Sequence, residues 1–251
     1  MSLKGIRAIT VCVDYADILR LTLPRSMEHF DSVTVVTHPR DEETIGVVRE
    51  FGAVLYLTEV FYDKGADFNK FAAMEEGLEL MGREGWLAII DADIYFPPEI
   101  PYWQMDEGCL YTPRRRMHPR IPSRVEEIPV GWSGFKYPMA NEEFAGYCQI
   151  FHANDAMLGP APWHETNWIW AGGPDSVFHQ KWPARNKIRP PFEVLHLGPS
   201  FQNWAGRVVP LADGTVPMEA TRRANRRSEI LDGRAQLRKE GKDMFSGEKI
   251  E

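Results

Sequence analysis

Trp86-Leu87-Ala88-Ile89-Ile90-Asp91-Ala92-Asp93 is the stretch that decides the fold of this 251-residue chain. Its continuous apolar run is typical of a strand that is buried on both faces, as in a parallel sheet. The run ends on two carboxylates, and ligands of open α/β sheets bind at the carboxyl ends of such strands. Because two carboxylates repel each other unless a cation lies between them, Asp91 and Asp93 predict a divalent metal ion that itself holds a phosphate.

The part of the chain that precedes this strand alternates between strand and helix patterns. Val- and Ile-rich runs predict strands over 6–13, 32–37 and 54–58. Helices are predicted between them: over 16–30 with a kink or break at Pro24, from a cap at Asp41 to a stop at Gly52, and over 69–81. This alternation favours an α/β fold with a mainly parallel sheet flanked by helices.

The pattern changes after Asp93. Eight prolines between residues 97 and 138 predict short outer strands and long loops over the sheet edge. A strand is expected over 146–153, and the Trp- and Gly-rich stretch 160–175 is typical of a shaped loop. We predict one domain over 1–218, with halves at 1–96 and 97–218, followed by a charged, helical tail at 219–251.

Composition limits the class of protein further. With 43% hydrophobic residues the chain has enough apolar material for a sizeable core, and no apolar stretch is long enough to span a membrane. The cysteines, Cys12, Cys109 and Cys148, are odd in number and far apart. They favour a reduced, cytoplasmic location over a disulfide framework.

The net charge of −7 is unevenly distributed along the chain. Segment 114–124 contains five arginines and no acid, and segment 219–242 is also basic. Two basic zones on an acidic protein predict contact with an anionic partner, and a solvated charged face is the alternative interpretation.

Five motifs occur in order, each at the end of a predicted strand or near the start of a helix. They are Val13-Asp14-Tyr15-Ala16-Asp17, Thr37-His38-Pro39-Arg40-Asp41, Lys64-Gly65-Ala66-Asp67-Phe68-Asn69-Lys70, Asp91-Ala92-Asp93, and Trp163-His164-Glu165 with Gly172-Gly173-Pro174-Asp175-Ser176-Val177-Phe178. In this order they resemble the GT-A glycosyltransferases, nucleotide-sugar enzymes with a single Rossmann-like domain, over residues 6–200. The resemblance implies that residues 1–96 bind the nucleotide sugar and 97–218 the acceptor.

The resemblance implies a donor site made by the earlier motifs. Asp14 would accept from the nucleotide base and Tyr15 would stack on it, although a helix cap accounts for Asp14 equally well. The motif that ends at Asp41 would border the ribose or base, and a plain N-cap is the alternative. Asn69 and Lys70 would contact phosphate or ribose oxygens at a helix start, unless Lys70 is an ordinary surface lysine.

The metal ligands are also implied by the resemblance. Asp93 would bind the metal, and Asp91 would bind the metal or the donor ribose. His196 interrupts an apolar strand at 194–199 and matches a late third ligand of some members, with a buried core histidine as the alternative. Imidazole beside carboxylates favours Mn²⁺ over Mg²⁺.

The candidate general base is Asp175, with Glu165 as the second candidate. The resemblance implies that an acidic residue near a helix start takes the proton from the acceptor hydroxyl, while a helix cap is the other interpretation of Asp175. Typical members carry a Glu-Asp pair here, but Pro174 and Ser176 flank the aspartate in this chain. This departure leaves the identity of the base and the choice between inversion and retention open.

The resemblance implies a metal-dependent glycosyltransferase that moves a sugar from a nucleoside diphosphate sugar, with UDP as the expected nucleotide, to an acceptor hydroxyl. The acceptor is open, and the basic segments permit DNA or another anionic polymer. A nucleotidyltransferase is the first alternative, against which stands the lack of a Gly-rich phosphate loop after the first strand. The second is a non-catalytic module that binds nucleotide sugar or nucleic acid.

Overall fold

The computed structural model of the protein describes residues 3–129, 144, 146–199 and 203–210, together with positions 214, 232, 236, 239 and 240. Its strands are β1 (Ile6–Val11), β2 (Ser32–Thr37), β3 (Val54–Leu57), β4 (Trp86–Ile90), β5 (Ile94–Tyr95), β6 (Leu110–Tyr111), β7 (Arg114–His118), β8 (Cys148–His152), β9 (Lys187–Ile188) and β10 (Glu193–Leu197). Its α-helices are α1 (Ala16–His29), α2 (Glu42–Phe51), α3 (Lys70–Met81) and α4 (Pro174–Phe178). The predicted domain boundary at 218 and the predicted tail lie outside the described residues, apart from four isolated positions of the tail.

Within the described ranges, seven strands form one sheet in the order β3-β2-β1-β4-β8-β6-β9. The first four of these strands are parallel to one another. Strand β8 runs antiparallel to both neighbours, and β9 is parallel to β6. The prediction of a mixed, mainly parallel sheet flanked by helices is confirmed.

Both faces of this sheet are buried, which is why its central strands read as continuous apolar runs. Successive side chains of β1 point to opposite faces: Ala8 belongs to the core shared with Leu19 of α1, and Ile9 to the core shared with Leu78 of α3. No helix in the described ranges combines the length and hydropathy that crossing a bilayer requires.

Helix α1 continues through Pro24, so the break considered from the sequence does not occur. Its buried residues lie on both sides of the proline, including Leu19, Leu21 and Leu23. Tertiary packing of this face stabilises the helix more strongly than the missing N–H weakens it.

A smaller sheet, in the order β5-β10-β7, lies against the carboxyl end of β4. Strand β5 begins directly after Asp93, whose carbonyl accepts the N–H of Leu197 at 2.8 Å. The strand predicted around His196 is β10, and this small sheet brings it beside Asp93.

Two helical glycines predict opposite effects of the same substitution. In Gly77→Ala of α3 the new methyl group would lie 2.6 Å from both Ile9 Cδ1 and Val36 Cγ2, so we expect the free energy of unfolding to fall by about 1–3 kcal/mol. Gly46 of α2 is exposed, and a methyl group added there would have no atom within 4 Å. Gly46→Ala should therefore raise the free energy of unfolding by about 0.5–1 kcal/mol. Urea unfolding measures both, and a stabilising Gly77→Ala would contradict the close packing of α3 on the sheet.

Candidate functional site

The carboxyl end of β4 lies in the middle of the main sheet, between the ends of β1 and the start of β8. The N–H of Asp91 donates to the carbonyl of Tyr147 at 2.9 Å, and the N–H of Ile94 donates to the carbonyl of Asp91 at 3.2 Å. These bonds form a tight turn over Asp91–Asp93. Because β1 and β4 are parallel, the turn after β1 lies beside the carboxyl end of β4. Ligands of such sheets bind at the carboxyl ends of the strands.

Asp93 and His196 are buried against each other at this edge. Oδ2 of Asp93 lies 3.3 Å from Nε2 of His196, and Nδ1 of His196 donates to the carbonyl of Gly198 at 3.3 Å. With Nδ1 bonded to the backbone, Nε2 faces the carboxylate, and a proton or a cation between the two atoms makes this arrangement favourable. Burial raises the pKa of Asp93 above its ordinary value, against the opposing effect of His196.

The oxygen and nitrogen atoms of this pair match only part of the ligand set of a divalent metal ion. Oδ1 of Asp93 is buried without a hydrogen-bond partner in the described part of the chain, and a carboxylate oxygen with an imidazole nitrogen suits Mn²⁺. Among the described residues, however, no three His, Cys, Asp or Glu side chains are arranged to hold a metal ion. Within the described ranges, Asp91, Asp93 and His196 therefore do not form a complete three-ligand site.

Asp91 is engaged by a lysine rather than by the Asp93–His196 pair. Nζ of Lys70, the first residue of α3, donates to Oδ1 of Asp91. Burial by itself would lower the pKa of Lys70, but the contact with Asp91 raises it above its ordinary value. Lys70 therefore keeps its positive charge at the N-terminus of a helix, a position that favours anions.

The turn after β1 is fixed by residues from two other parts of the chain. Asp14 has a left-handed backbone with φ 64°, its N–H donates to Asp41 Oδ2 at 2.7 Å, and its carbonyl accepts from Arg207 at 3.1 Å. Asp41 also caps α2, as one interpretation of the sequence predicted. Asp14 does not cap α1, which has Tyr15 at its N-cap position and no side-chain cap bond. A contact between Asp14 and a base stays a prediction.

Tyr15 is buried beneath residues 203–210. Its hydroxyl accepts from Asn203 at 2.8 Å, and the guanidinium of Arg207 lies 4.9 Å from its ring centroid. Arg207 also donates two hydrogen bonds of 2.9 Å to Asp17. One side of the Tyr15 ring is thus covered, and stacking on a base stays a prediction that requires its remaining surface. Sequence reasoning missed Arg207 because nothing near it in the chain signals this pairing.

Asn69 has a structural role at the start of α3. Its Oδ1 accepts the N–H of Ala72 at 3.0 Å, and its Nδ2 donates to the carbonyl of Thr166 at 2.7 Å. The side chain therefore caps the helix and holds the 160–175 loop. Because the amide has a second N–H and a second lone pair, a contact of Asn69 with a nucleotide stays a prediction.

The two candidate bases differ in their surroundings. Oδ1 of Asp175 accepts from the N–H groups of Gly173 and Ser176, and its Oδ2 accepts from Gly146 at 3.1 Å. Asp175 lies near enough to Lys70 for its charge to act on that ammonium group. Glu165 is exposed and accepts from the indole of Trp168 at 2.8 Å. Asp175 is therefore the candidate that lies nearer to the Lys70–Asp91 pair.

A buried Glu75–His164 pair adjoins the site, and sequence reasoning missed it. Glu75 accepts from Nδ1 of His164 at 2.6 Å, from the N–H groups of Trp163 and His164, and from Arg83. The imidazole is stacked between Phe71 and Phe178. Burial lowers the pKa of His164; it would raise that of Glu75, but the bond from His164 holds the pKa of Glu75 below its ordinary value. An acid within the apolar stripe of a helix is the sequence signal that could have indicated this pair.

The basic segment 114–124 is partly neutralised by carboxylates. Arg116 pairs with Glu193, and Arg120 and Arg124 each lie 3.5 Å from Glu127. Binding of a nucleic acid or another anionic polymer by this segment stays a prediction. The second basic segment, 219–242, lies outside the described residues except at isolated positions.

No family model matches the sequence, and no curated protein matches it significantly. Solved structures with a similar course of the chain include the CTP:phosphocholine cytidylyltransferase from Streptococcus pneumoniae, at 14% identity and a TM-score of 0.31 over 44% of this chain and 54% of that one. The inositol-1-phosphate CTP transferase from T. maritima aligns at 10% identity and a TM-score of 0.45 over 89% and 96% of the two chains.

A third similar structure is mannosyl-3-phosphoglycerate synthase from Rubrobacter xylanophilus, at 20% identity and a TM-score of 0.36 over 59% of this chain and 54% of that one. The chain thus spans about half the length of the cytidylyltransferase and of the synthase. At such identities and TM-scores these likenesses carry no argument about the activity of this chain.

Proposed function

We propose that this protein is a metal-dependent glycosyltransferase that moves a sugar from a nucleoside diphosphate sugar, with UDP as the nucleotide, to an acceptor hydroxyl. The observation that carries the proposal is the buried Asp93–His196 pair, in which one carboxylate oxygen lacks a partner in the described part of the chain. Lys70, at the N-terminus of α3, adds a positive charge nearby. Together they suit a substrate from which a diphosphate departs.

The proposal assigns a role to the residues of the donor site. Asp93 and His196 would hold Mn²⁺ or Mg²⁺, with oxygens of the bound diphosphate as further ligands. The bound ion supplies a Lewis acid for the charge on the leaving nucleoside diphosphate. Lys70 balances the charge of Asp91. Asp14 and Tyr15 are assigned to the base, because the turn after β1 ends at the same edge of the sheet.

We assign the general base to Asp175, with Glu165 as the second candidate. An ionised carboxylate has about four lone-pair positions, so the three N–H donors on Asp175 leave room for one acceptor hydroxyl. Attack by that hydroxyl on the face opposite the leaving diphosphate inverts the anomeric centre.

Nucleotidyl transfer is the main alternative, and one observation speaks against it. Phosphate-binding turns present backbone N–H groups to the phosphates. In the turn after β1, the N–H of Asp14 instead donates to Asp41, and the N–H of Tyr15 donates to Thr44 at 3.3 Å. We therefore prefer sugar transfer. A non-catalytic module that binds nucleic acid alone would leave the Asp93–His196 pair without a role.

Calorimetric titration with UDP, with and without Mn²⁺, tests the proposal. We expect binding that requires Mn²⁺ and that is lost in Asp93→Ala, because this variant removes the only carboxylate assigned to the ion. Asp31→Ala is the matched control. Asp31 is exposed and directly precedes β2, at the amino ends of the parallel strands and away from the site. The control should bind UDP as the wild-type protein does.

Three outcomes would contradict parts of this proposal. UDP binding that is independent of Mn²⁺ and survives Asp93→Ala would refute the metal site. A preference for a nucleoside triphosphate, with release of pyrophosphate, would favour nucleotidyl transfer. If UDP, GDP and the other nucleotides all fail to bind, the donor site itself is wrong.

A further inference from the structure

We infer that residues 203–210 form a latch that closes the base end of the donor site and has to open before a nucleotide can bind there. The ion pair between Asp17 and Arg207 holds this latch closed. The inference rests on the proposed function, because the latch covers a residue that is assigned there to the base. It adds a control of access to the donor site.

The closed latch leaves almost none of Tyr15 accessible. Tyr15 is 9% exposed, and its ring belongs to the apolar core that the sheet shares with α1. The guanidinium of Arg207 lies 4.9 Å from the ring centroid, and Asn203 donates to the phenol oxygen at 2.8 Å. A stacked base needs a ring face to itself. A base therefore cannot stack on Tyr15 while the latch is closed.

The side chain of Arg207 ties the latch to two parts of the base end. It is fully buried, and it donates to both carboxylate oxygens of Asp17, in the first turn of α1, at 2.9 Å each. It also donates to the carbonyl of Asp14, in the turn after β1, at 3.1 Å. Paired bonds between a guanidinium and a carboxylate are among the stronger hydrogen bonds in proteins. Loss of the Asp17 charge should therefore favour the open latch.

The latch also has hydrogen bonds within itself, which opening leaves intact. Oδ1 of Asn203 accepts from the N–H groups of Val208 and Val209 at 3.0 and 3.4 Å. Arg207 donates to the carbonyls of Val209 and Pro210 at 2.9 and 3.0 Å. The latch contains no helix or strand, and within the described ranges none of its residues belongs to either apolar core. A segment with these properties opens at low cost in free energy.

Trp204 attaches the latch to a different part of the protein. Its carbonyl accepts the N–H of Ala171 at 2.7 Å, and a methyl group on Gly172 would lie 3.2 Å from its ring. These contacts are with the 160–175 loop and not with the turn after β1. Opening at Arg207 does not require them to break, so the latch stays attached at this end.

UDP binding, measured by calorimetry in the presence of Mn²⁺, tests the latch on the wild-type chain and on Asp17→Asn. Asparagine keeps the size of the side chain but not its charge. A ligand that binds only the open form loses apparent affinity in proportion to the open fraction. If the latch is closed roughly 90% of the time, we expect Asp17→Asn to bind UDP about tenfold more tightly.

Arg20→Gln is the matched control for Asp17→Asn. Arg20 lies on the same helix, one turn further along, and forms an exposed ion pair with Glu50. This variant also removes an ion pair of α1, but not one that holds the latch. It should bind UDP as the wild-type protein does.

Trypsin cleavage after Arg207 reports on the latch itself, because a buried arginine is cut only when the segment opens. Cleavage between residues 207 and 208, identified by mass spectrometry, should be faster in Asp17→Asn than in the wild-type protein. UDP with Mn²⁺ should also accelerate it in the wild-type protein. The exposed Lys64 is the internal reference, and the rate of cleavage after it should be the same in all samples.

Three outcomes would overturn the inference. Asp17→Asn that binds UDP no more tightly than the wild-type protein would refute the latch and leave the proposed function intact. Slower cleavage after Arg207 in the presence of UDP would show that the segment closes over the nucleotide instead of excluding it. If neither protein binds any nucleotide, the proposed function fails, and the latch has no donor site to close.

Discussion

Glu75→Leu should lower the free energy of unfolding by about 3–5 kcal/mol, the cost of breaking a buried charged network by removing one partner. The carboxylate accepts from His164, from the N–H of Trp163 and from Arg83, and the imidazole of His164 is fully buried. Leucine fills a similar volume but accepts no hydrogen bond, so these donors would be left unsatisfied. Urea unfolding at neutral pH measures the loss.

Glu79→Ala is the matched control for this substitution. Glu79 lies one helical turn further along α3, is exposed, and pairs with the same Arg83 at 3.4 Å. Because exposed pairs contribute little, the control should change stability by no more than about 0.5 kcal/mol. Equal losses in the two variants would show that Glu75 does not anchor the 160–175 loop to α3.

Lys70→Met should destabilise the metal-free protein by about 3 kcal/mol, the low end for a buried pair because Asp91 keeps part of its surface in water. Nζ of Lys70 contacts Asp91, and the charges of Asp93 and Asp175 also act on it. Without the ammonium group these carboxylates repel one another across the site. Mn²⁺ should therefore raise the midpoint of thermal unfolding more in the variant than in the wild-type protein.

Lys64→Met is the control, because Lys64 is exposed six residues earlier in the chain. It should leave both stability and the response to Mn²⁺ at wild-type values. A stable Lys70→Met protein would mean that the carboxylates at this edge do not depend on Lys70, and the assignment of positive charge beside the phosphates would fail.

Local signals in the sequence predicted the first half of the fold well. The bounds of β2 and β4 match the predicted 32–37 and 86–90, because a buried strand needs a continuous apolar run. Asp41 and Gly52 delimit α2 as predicted, since a cap acts within a few residues of the helix end. The bounds of β5, β6 and β9 were not predicted, because each has two residues and is too short to show a period.

The candidate site was predicted only in part. Asp91 and Asp93 were found because they end a strand, and His196 because the order of motifs resembled a known family. The ion pair of Asp91 with Lys70 and the cover of Arg207 over Tyr15 were not predicted. Both contacts join residues that are far apart in the chain, and local patterns in a single sequence do not predict such contacts.

The sequence by itself determined the α/β class, the central strands and the position of Asp91–Asp93 at a strand end, because hydrophobic periodicity and helix caps are local properties. The tertiary structure decided which polar groups meet. It turned Asp91 towards Lys70, set His196 against Asp93 through the small sheet, and brought Arg115 and Arg189 together on Tyr147. The reason is physical: buried charges must find partners wherever the packing of distant elements places them.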